Sequence, residues 1–203
     1  MVLNSLPLFP LGSVLYPQGH LPLRIFEVRY LDMINKVIQA DAPFGVVALK
    51  QGIEVQVPQA QELFADVGTI ATVVHHESPQ PGLKLVHCIG AQRYRILRRE
   101  RLKHGLWIAD VEHIEPDVEI APPDELASCV VTLRNVMSKL SGETSDVDLD
   151  AEDNHWDSCS WVANRWCEIL TIALPLKQRM LELDNPIIRL ELISDILEKF
   201  DLT

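Results

Sequence analysis

The chain has 203 residues, 47% of them hydrophobic, with 18 basic and 29 acidic side chains for a formal charge of -11. That length and apolar content suffice for a self-made core, so disulfide staples are not required. An acidic balance repels phosphate backbones and argues against non-specific nucleic-acid binding.

Charge is unevenly placed. Residues 1–115 carry 11 basic and 11 acidic side chains; residues 116–203 carry 7 and 18. This break divides the chain into an amino-terminal part over 1–121 and a carboxy-terminal part over 122–203. The first basic residue is Arg24, and prolines at 7, 10, 17 and 22 interrupt the early apolar run. A secretory signal needs a basic start and an unbroken apolar helix, so this is not one. No window reaches the roughly 18–20 apolar residues of a membrane span, and a soluble, cytoplasmic protein without membrane contact is expected.

The same prolines exclude helix over the first 23 residues, which are extended or turned, with Gly12 and Gly19 as turn positions where positive φ is cheap. Helical spacing then takes over from Phe26 to Ile38, with Tyr30, Ile34 and Ile38 four residues apart, until Pro43 and Gly45 end it. Residues 44–114 read as β. The run Phe44–Leu49 has the continuous apolar character of a buried strand, and Val67–Val74 is rich in β-branched residues. Pro79-Gln-Pro-Gly82 forms a turn, making Leu83–Ile89 the second arm of a hairpin. Arg93–Leu97 and Leu106–Ile114 alternate polar with apolar. Several short strands with one early helix indicate a partly closed barrel.

Pro116, Pro122 and Pro123 introduce a helical region. One helix begins near Asp124 and places Leu126, Val130, Leu133, Met137 and Leu140 on one face, with Ser141-Gly142 as its stop. Residues 143–153 hold six acids and no base, a solvated loop. A second helix begins near Asp157 and carries Trp161, Val162, Trp166, Ile169, Leu170 and Ala173 until Leu174-Pro175 breaks it. A short helix over about 176–183 precedes a last one, with Asn185 as cap and Pro186 at the first position. Ile187, Leu190, Ile193 and Leu197 give that last helix a wide buried face. The class is thus α+β, a barrel with an early helix followed by a helical bundle.

Four stretches carry a family resemblance. They are Leu6-Pro-Leu-Phe-Pro-Leu with Leu21-Pro-Leu-Arg-Ile-Phe-Glu-Val-Arg-Tyr30; Val67-Gly-Thr-Ile-Ala71; Gly90-Ala-Gln-Arg-Tyr-Arg-Ile96; and Ala173–Asp184 with Arg189–Leu197. In this order they resemble the amino-terminal, substrate-recognition domain of Lon proteases across nearly the whole chain. Arg24 stands where that family usually has His, and Val28 where it has Pro. The resemblance implies a barrel similar to PUA-type domains plus a helical bundle, and a non-catalytic module that recognises polypeptide. Unfolded or damaged proteins, or a separate protease served as adaptor or regulator in protein quality control, are the implied partners. A small-ligand or RNA-binding module is the alternative that PUA-like barrels leave open. The sequence does not give an oligomeric state.

Candidate chemistry is sparse. There is no Gly-x-x-x-x-Gly-Lys-Ser/Thr loop, hence no expected ATPase activity. Lys139 and Ser141 are sequence neighbours without an oxyanion-hole motif, so no protease dyad is read from them. No catalytic residue and no cofactor is predicted. His75 and His76 point to opposite faces of a strand and are not read as a metal site. Cys88, Cys129, Cys159 and Cys167 show no paired spacing and are read as free thiols packed in the core. Two sets remain. Arg24, Phe26, Glu27, Arg29 and Tyr30 are a candidate peptide-binding groove, whose structural reading is a turn fixed by Glu27 and an arginine over a packed Tyr30. Arg93, Arg95, Arg98, Arg99 and Arg101, with Lys103 nearby, are a candidate anion patch, whose structural reading is a solvated strand end.

Overall fold

The computed structural model describes residues 1–51, 63–143 and 155–200, and of these the side chains of 51 and 141–143 are left out. Strands β1 (Val2–Leu11) and β2 (His20–Ile25) precede helix α1 (Val28–Ala40). Strands β3 (Phe44–Gln51), β4 (Leu63–Gln80), β5 (Leu83–Arg101) and β6 (Trp107–His113) follow. A 3-10 turn (Asp124–Leu126) leads into α2 (Ala127–Glu143), and α3 (Cys159–Ile169), α4 (Leu174–Glu182) and α5 (Pro186–Lys199) complete the chain. The acidic stretch read as a loop falls, apart from Glu143, outside the described residues. The chain forms two compact units, one of residues 1–116 with 173–182, the other of 117–172 with 183–203. Helix α4 thus counts with the sheet.

In the first unit the strand order is β2-β5-β4-β3-β1-β6, and β6 also pairs with β5. One long strand makes this possible. The first half of β5 pairs with β2 along one edge, and its second half pairs with β6 along that same edge. The resulting barrel is not cleanly closed, and the ladders of β4, β5 and β6 carry register shifts.

Prolines in β1 are accommodated by a change of partner. Val2 to Leu8 pair with β6, and Leu8 to Leu11 pair in parallel with β3. Pro7 and Pro10 therefore each fall where β1 has a ladder on one side only, the setting in which a missing N–H is tolerated. Period-two alternation divides the core. Leu6 and Leu8 of β1, with Val47 and Leu49 of β3, join Phe64, Ile70, Tyr94 and Val111 in one cluster. Phe9, Leu11, Phe44 and Val46 face the other way, onto Tyr30, Met33, Ile34 and Val37 of α1. Strands buried on both faces explain the unbroken apolar runs. Each large side chain so removed from water contributes up to about 1.5–3 kcal/mol.

Close packing accounts for Gly68 and Gly90. A Cβ at Gly68 would run into the Val46 carbonyl and meet the Tyr94 hydroxyl at 2.6 Å; one at Gly90 would run into the Tyr16 carbonyl. The left-handed residue before β2 is Gln18 (φ 59), not Gly12 or Gly19 as the turn chemistry suggested. Its N–H donates to the Gly90 carbonyl at 2.7 Å, which holds the turn in place. Helix α4 is bound by its backbone. The carbonyls of Lys177 and Leu181 accept from Tyr16 Oη (2.7 Å) and Arg93 Nη1 (2.8 Å), and Gln178 Nε2 donates to Val67 O (3.0 Å).

The second unit is α-helical. Helix α2 runs to Glu143, past the stop expected at Ser141-Gly142. Helix α3 begins one residue after its cap Ser158, whose hydroxyl accepts from the Trp161 N–H, and it ends at Ile169 rather than near Ala173. Pro175 does not break a helix but occupies the first turn of α4, where its missing N–H costs nothing. Asn185 caps α5 through the N–H groups of Ile187 and Ile188, with Pro186 following, as the sequence predicts. Trp161 and Trp166 are buried, and Trp166 Nε1 donates to the Cys129 carbonyl at 3.0 Å. The organising polar residue is Arg189, only 1% exposed, whose Nη1 meets Asp117 at 2.7 Å and Asn164 at 3.0 Å. Its Nη2 donates to the Leu183 carbonyl.

Candidate functional site

Strand β2 ends the strand order and, among the described residues, pairs with β5 alone. Gly90 donates its N–H to the Gly19 carbonyl at 2.8 Å, which starts the bonded pairs of the β2–β5 ladder. Antiparallel ladders bond every second residue. Leu21, Leu23 and Ile25 thus face β5 with their backbone groups, while His20, Pro22 and Arg24 direct theirs to the open edge. Pro22 lacks the N–H it would show there, the usual guard of an edge strand against pairing with itself. Arg24 retains both backbone groups.

Alongside β2 lies a cavity of about 330 Å³ lined by residues 21–27 together with Phe9, Leu11, Ser13 and Tyr30. Its floor is rigid. The Phe9 and Tyr30 rings stack with centroids 4.1 Å apart, and the Arg29 guanidinium lies 4.4 Å from the Tyr30 centroid. Arg29, 4% exposed, is held by Glu27 at 3.1 Å and by the Gly105 carbonyl at 2.9 Å. The lining mixes apolar side chains with Ser13, Arg24 and Glu27, and Phe26 stands 57% exposed at it.

Of the five groove residues predicted from sequence, Arg24, Phe26, Glu27 and Tyr30 meet at this cavity, and Arg29 braces Tyr30 beside it. Leu21, Pro22 and Leu23 line it as well. The arrangement offers apolar contact area and backbone hydrogen bonds, with no acid, base or nucleophile directed at a common point.

The arginines of β5 lie along one strand. Arg93 is buried and bound to the Leu181 carbonyl. Arg95 and Arg98 stand opposite Glu112 and Asp110 of β6. Arg99 lies 3.5 Å from Asp66 and over the Phe64 ring, and Arg101 lies over Trp107. Carboxylates and aromatic faces interleave this stretch. Among the described residues no three His, Cys, Asp or Glu side chains come together as a metal site, and no helix is long and apolar enough to cross a membrane.

The four cysteines are buried and not in disulfides. Burial pushes the Cys88 thiol up to about 12 and that of Cys159 to about 11, since a thiolate would lose its hydration. Burial likewise raises Cys129 and Tyr94 and lowers Arg165, the last against the pull of Glu168. These groups are packed and neutral, or paired, rather than poised for chemistry. Sequence reasoning missed one cluster. His20 Nδ1 and His87 Nε2 are 2.9 Å apart, and His75 stands opposite His87 on β4. The hairpin turn gave a signal for the last pair; nothing local could have joined His20 to His87.

Comparison with known proteins agrees with this architecture. The family described as ATP-dependent protease La (LON) substrate-binding domain matches over residues 5–199. A crystal structure of a Lon N-terminal domain protein from Xanthomonas campestris superposes with a TM-score of 0.76 at 26% identity, covering 95% of this chain and 98% of that one. The N-terminal domain of Mycobacterium avium complex Lon protease gives a TM-score of 0.59 at 15% identity, over 95% and 97% of the two chains, a likeness of fold.

Proposed function

The chain belongs to the ATP-dependent protease La (LON) substrate-binding domain family, and from that premise we propose that it is a non-catalytic module that captures extended polypeptide along the open edge of β2. Its substrates are unfolded or damaged proteins, and it serves as an adaptor or regulator for a separate protease in quality control. The observation that carries this reading is the cavity running beside a strand edge that no described strand covers, with Phe26 exposed at it. An extended segment adds backbone bonds at Arg24 and the Pro22 carbonyl and places an apolar side chain over Phe9 and Tyr30. Each backbone bond contributes about 0.5–1.5 kcal/mol net. Because Pro22 limits the number of such bonds, the binding is weak and tolerant of sequence.

Fluorescence anisotropy of a labelled, permanently unfolded protein, with its folded form as control, tests the proposal. The unfolded form alone should bind, and raising the salt should leave binding nearly unchanged, whereas phosphate contacts weaken steeply with salt. Phe26→Ala should weaken binding about fivefold or more, the equivalent of roughly 1 kcal/mol, with stability intact because the ring is exposed. Tyr30→Ala is the wrong probe, since it empties a buried stack. Equal binding of folded and unfolded forms, no binding of either, or a Phe26→Ala variant that binds as before would each defeat the reading.

A further inference from the structure

We propose that His20 and His87 form a two-ligand site for a divalent transition-metal ion of the Cu2+ or Ni2+ type, clasping β2 to β5. His20 lies at the start of β2 and His87 on β5, with Nδ1 of the first and Nε2 of the second 2.9 Å apart and the ring planes 84° to one another. Two metal–imidazole bonds of about 2.1 Å meeting at a right angle span about 3.0 Å. A tetrahedral angle would instead need about 3.4 Å. The observed spacing, that of a hydrogen bond, lies within a small ring movement of either value, and an imidazole pair completed by water is the N,O set that suits Cu2+ and Ni2+. Without metal the two nitrogens share one hydrogen bond, one ring donating and the other accepting. Metal binding replaces that hydrogen bond, and the proton of the donating nitrogen passes to solvent or to the ring's other nitrogen.

The site is borne by rigid backbone. The β2–β5 ladder runs from His20–Ile89 to Ile25–Lys84, and Pro22 pairs with His87 in the middle of it. Among the described residues no third ligating side chain converges, so the ion keeps open positions for water or for a donor from another molecule. A cavity of about 510 Å³, lined by His75, Glu77, Leu85 and His87 and sharing Pro22, Leu23 and Arg24 with the groove, lies beside His87 and leaves room for that donor. This inference stands apart from polypeptide capture and survives its failure.

Titration calorimetry with CuCl2 and NiCl2 on the full chain, with electron paramagnetic resonance of the Cu2+ form, tests it. One equivalent of Cu2+ is expected, with hyperfine structure from two imidazole nitrogens and Zn2+ binding more weakly than either Cu2+ or Ni2+. His20→Gln and His87→Gln should each weaken Cu2+ binding about tenfold or more, a loss of one ligand. His76→Gln and His104→Gln should leave it unchanged, and circular dichroism should show all four variants folded. No binding by the unaltered chain at millimolar metal overturns the proposal. So does Cu2+ binding that both pair variants retain, or a signal from a single imidazole.

Discussion

Removing Asp117 should unfold the helical unit at far lower denaturant, because it strands a charge. Arg189 is 1% exposed and its guanidinium reaches Asp117, Asn164 and the Leu183 carbonyl. Asp117 is the one anion among those partners, and its carboxylate also accepts from the Ser160 hydroxyl at 2.6 Å. Taking away one member of such a buried pair costs about 3–5 kcal/mol, while replacing both with apolar groups of similar volume is often near neutral. Asp117→Ala is therefore expected to destabilise by about 3–5 kcal/mol, and Asp117→Ala with Arg189→Met by clearly less than the two single changes added together. With a urea dependence near ~2 kcal/mol per molar, the midpoint for Asp117→Ala falls by roughly 2 M. Tryptophan fluorescence is a suitable probe, since Trp156, Trp161 and Trp166 belong to the helical unit and only Trp107 to the other. A midpoint within about 0.3 M of the parent would refute the argument. So would strict additivity in the double variant, because residues sharing a network couple by about 0.5–3 kcal/mol.

Gly68→Ala should fail to give a folded sheet unit, because its new methyl would run into the Val46 carbonyl, fixed in the ladder, and the Tyr94 hydroxyl; near-parent stability by circular dichroism melting would show that β3 and β4 are looser than packed. Alkaline pH should destabilise the fold in a defined window. The Cys88 thiol ionises near 9.0 when unfolded and near 12 when folded, so its contribution is complete below about pH 9 and is lost as pH rises towards 12. The expected slope is ~1.4 kcal/mol per pH unit for each such thiol. Urea midpoints at pH 8, 9, 10 and 11 check this, with Cys88→Ala flattening the fall; a midpoint independent of pH from 8 to 11 would contradict it.

Much of the fold was legible because its signals are local. Asn185-Pro186 wrote the start of α5, Pro81-Gly82 the hairpin, and the β-branched run at 67–74 a strand. Elsewhere the residue that suggested a boundary did not set it, and only at Gln18 does a longer-range contact give the reason. Gly142 did not stop α2, Pro175 opened α4 instead of closing α3, and Gln18 took the left-handed turn because its N–H is needed by Gly90 O. The length of β5 was equally hidden. Two expected strands, 83–89 and 93–97, proved to be one of 19 residues, serving β2 with one half and β6 with the other.

The motifs that gave the family away turn out to be mostly architectural. Gly68 clears space for the Val46 carbonyl and the Tyr94 hydroxyl, and Gly90 for the Tyr16 carbonyl. Arg93 holds the Leu181 carbonyl at the end of α4, and Arg189 holds Leu183 two residues on. Residues of this kind mark a fold strongly because each has a fixed backbone partner, and for the same reason they are occupied and have little left to offer a ligand. Arg24, Phe26 and Val28 are the reverse. They lie exposed at the turn between β2 and α1, two of them where this chain departs from the family pattern, and packing places little constraint on them. Under the proposed capture of polypeptide, these three exposed side chains are the ones free of packing duties that a bound segment would meet. It follows that partner choice should move with substitutions at Arg24, Phe26 and Val28 while the unfolding midpoint stays where it is.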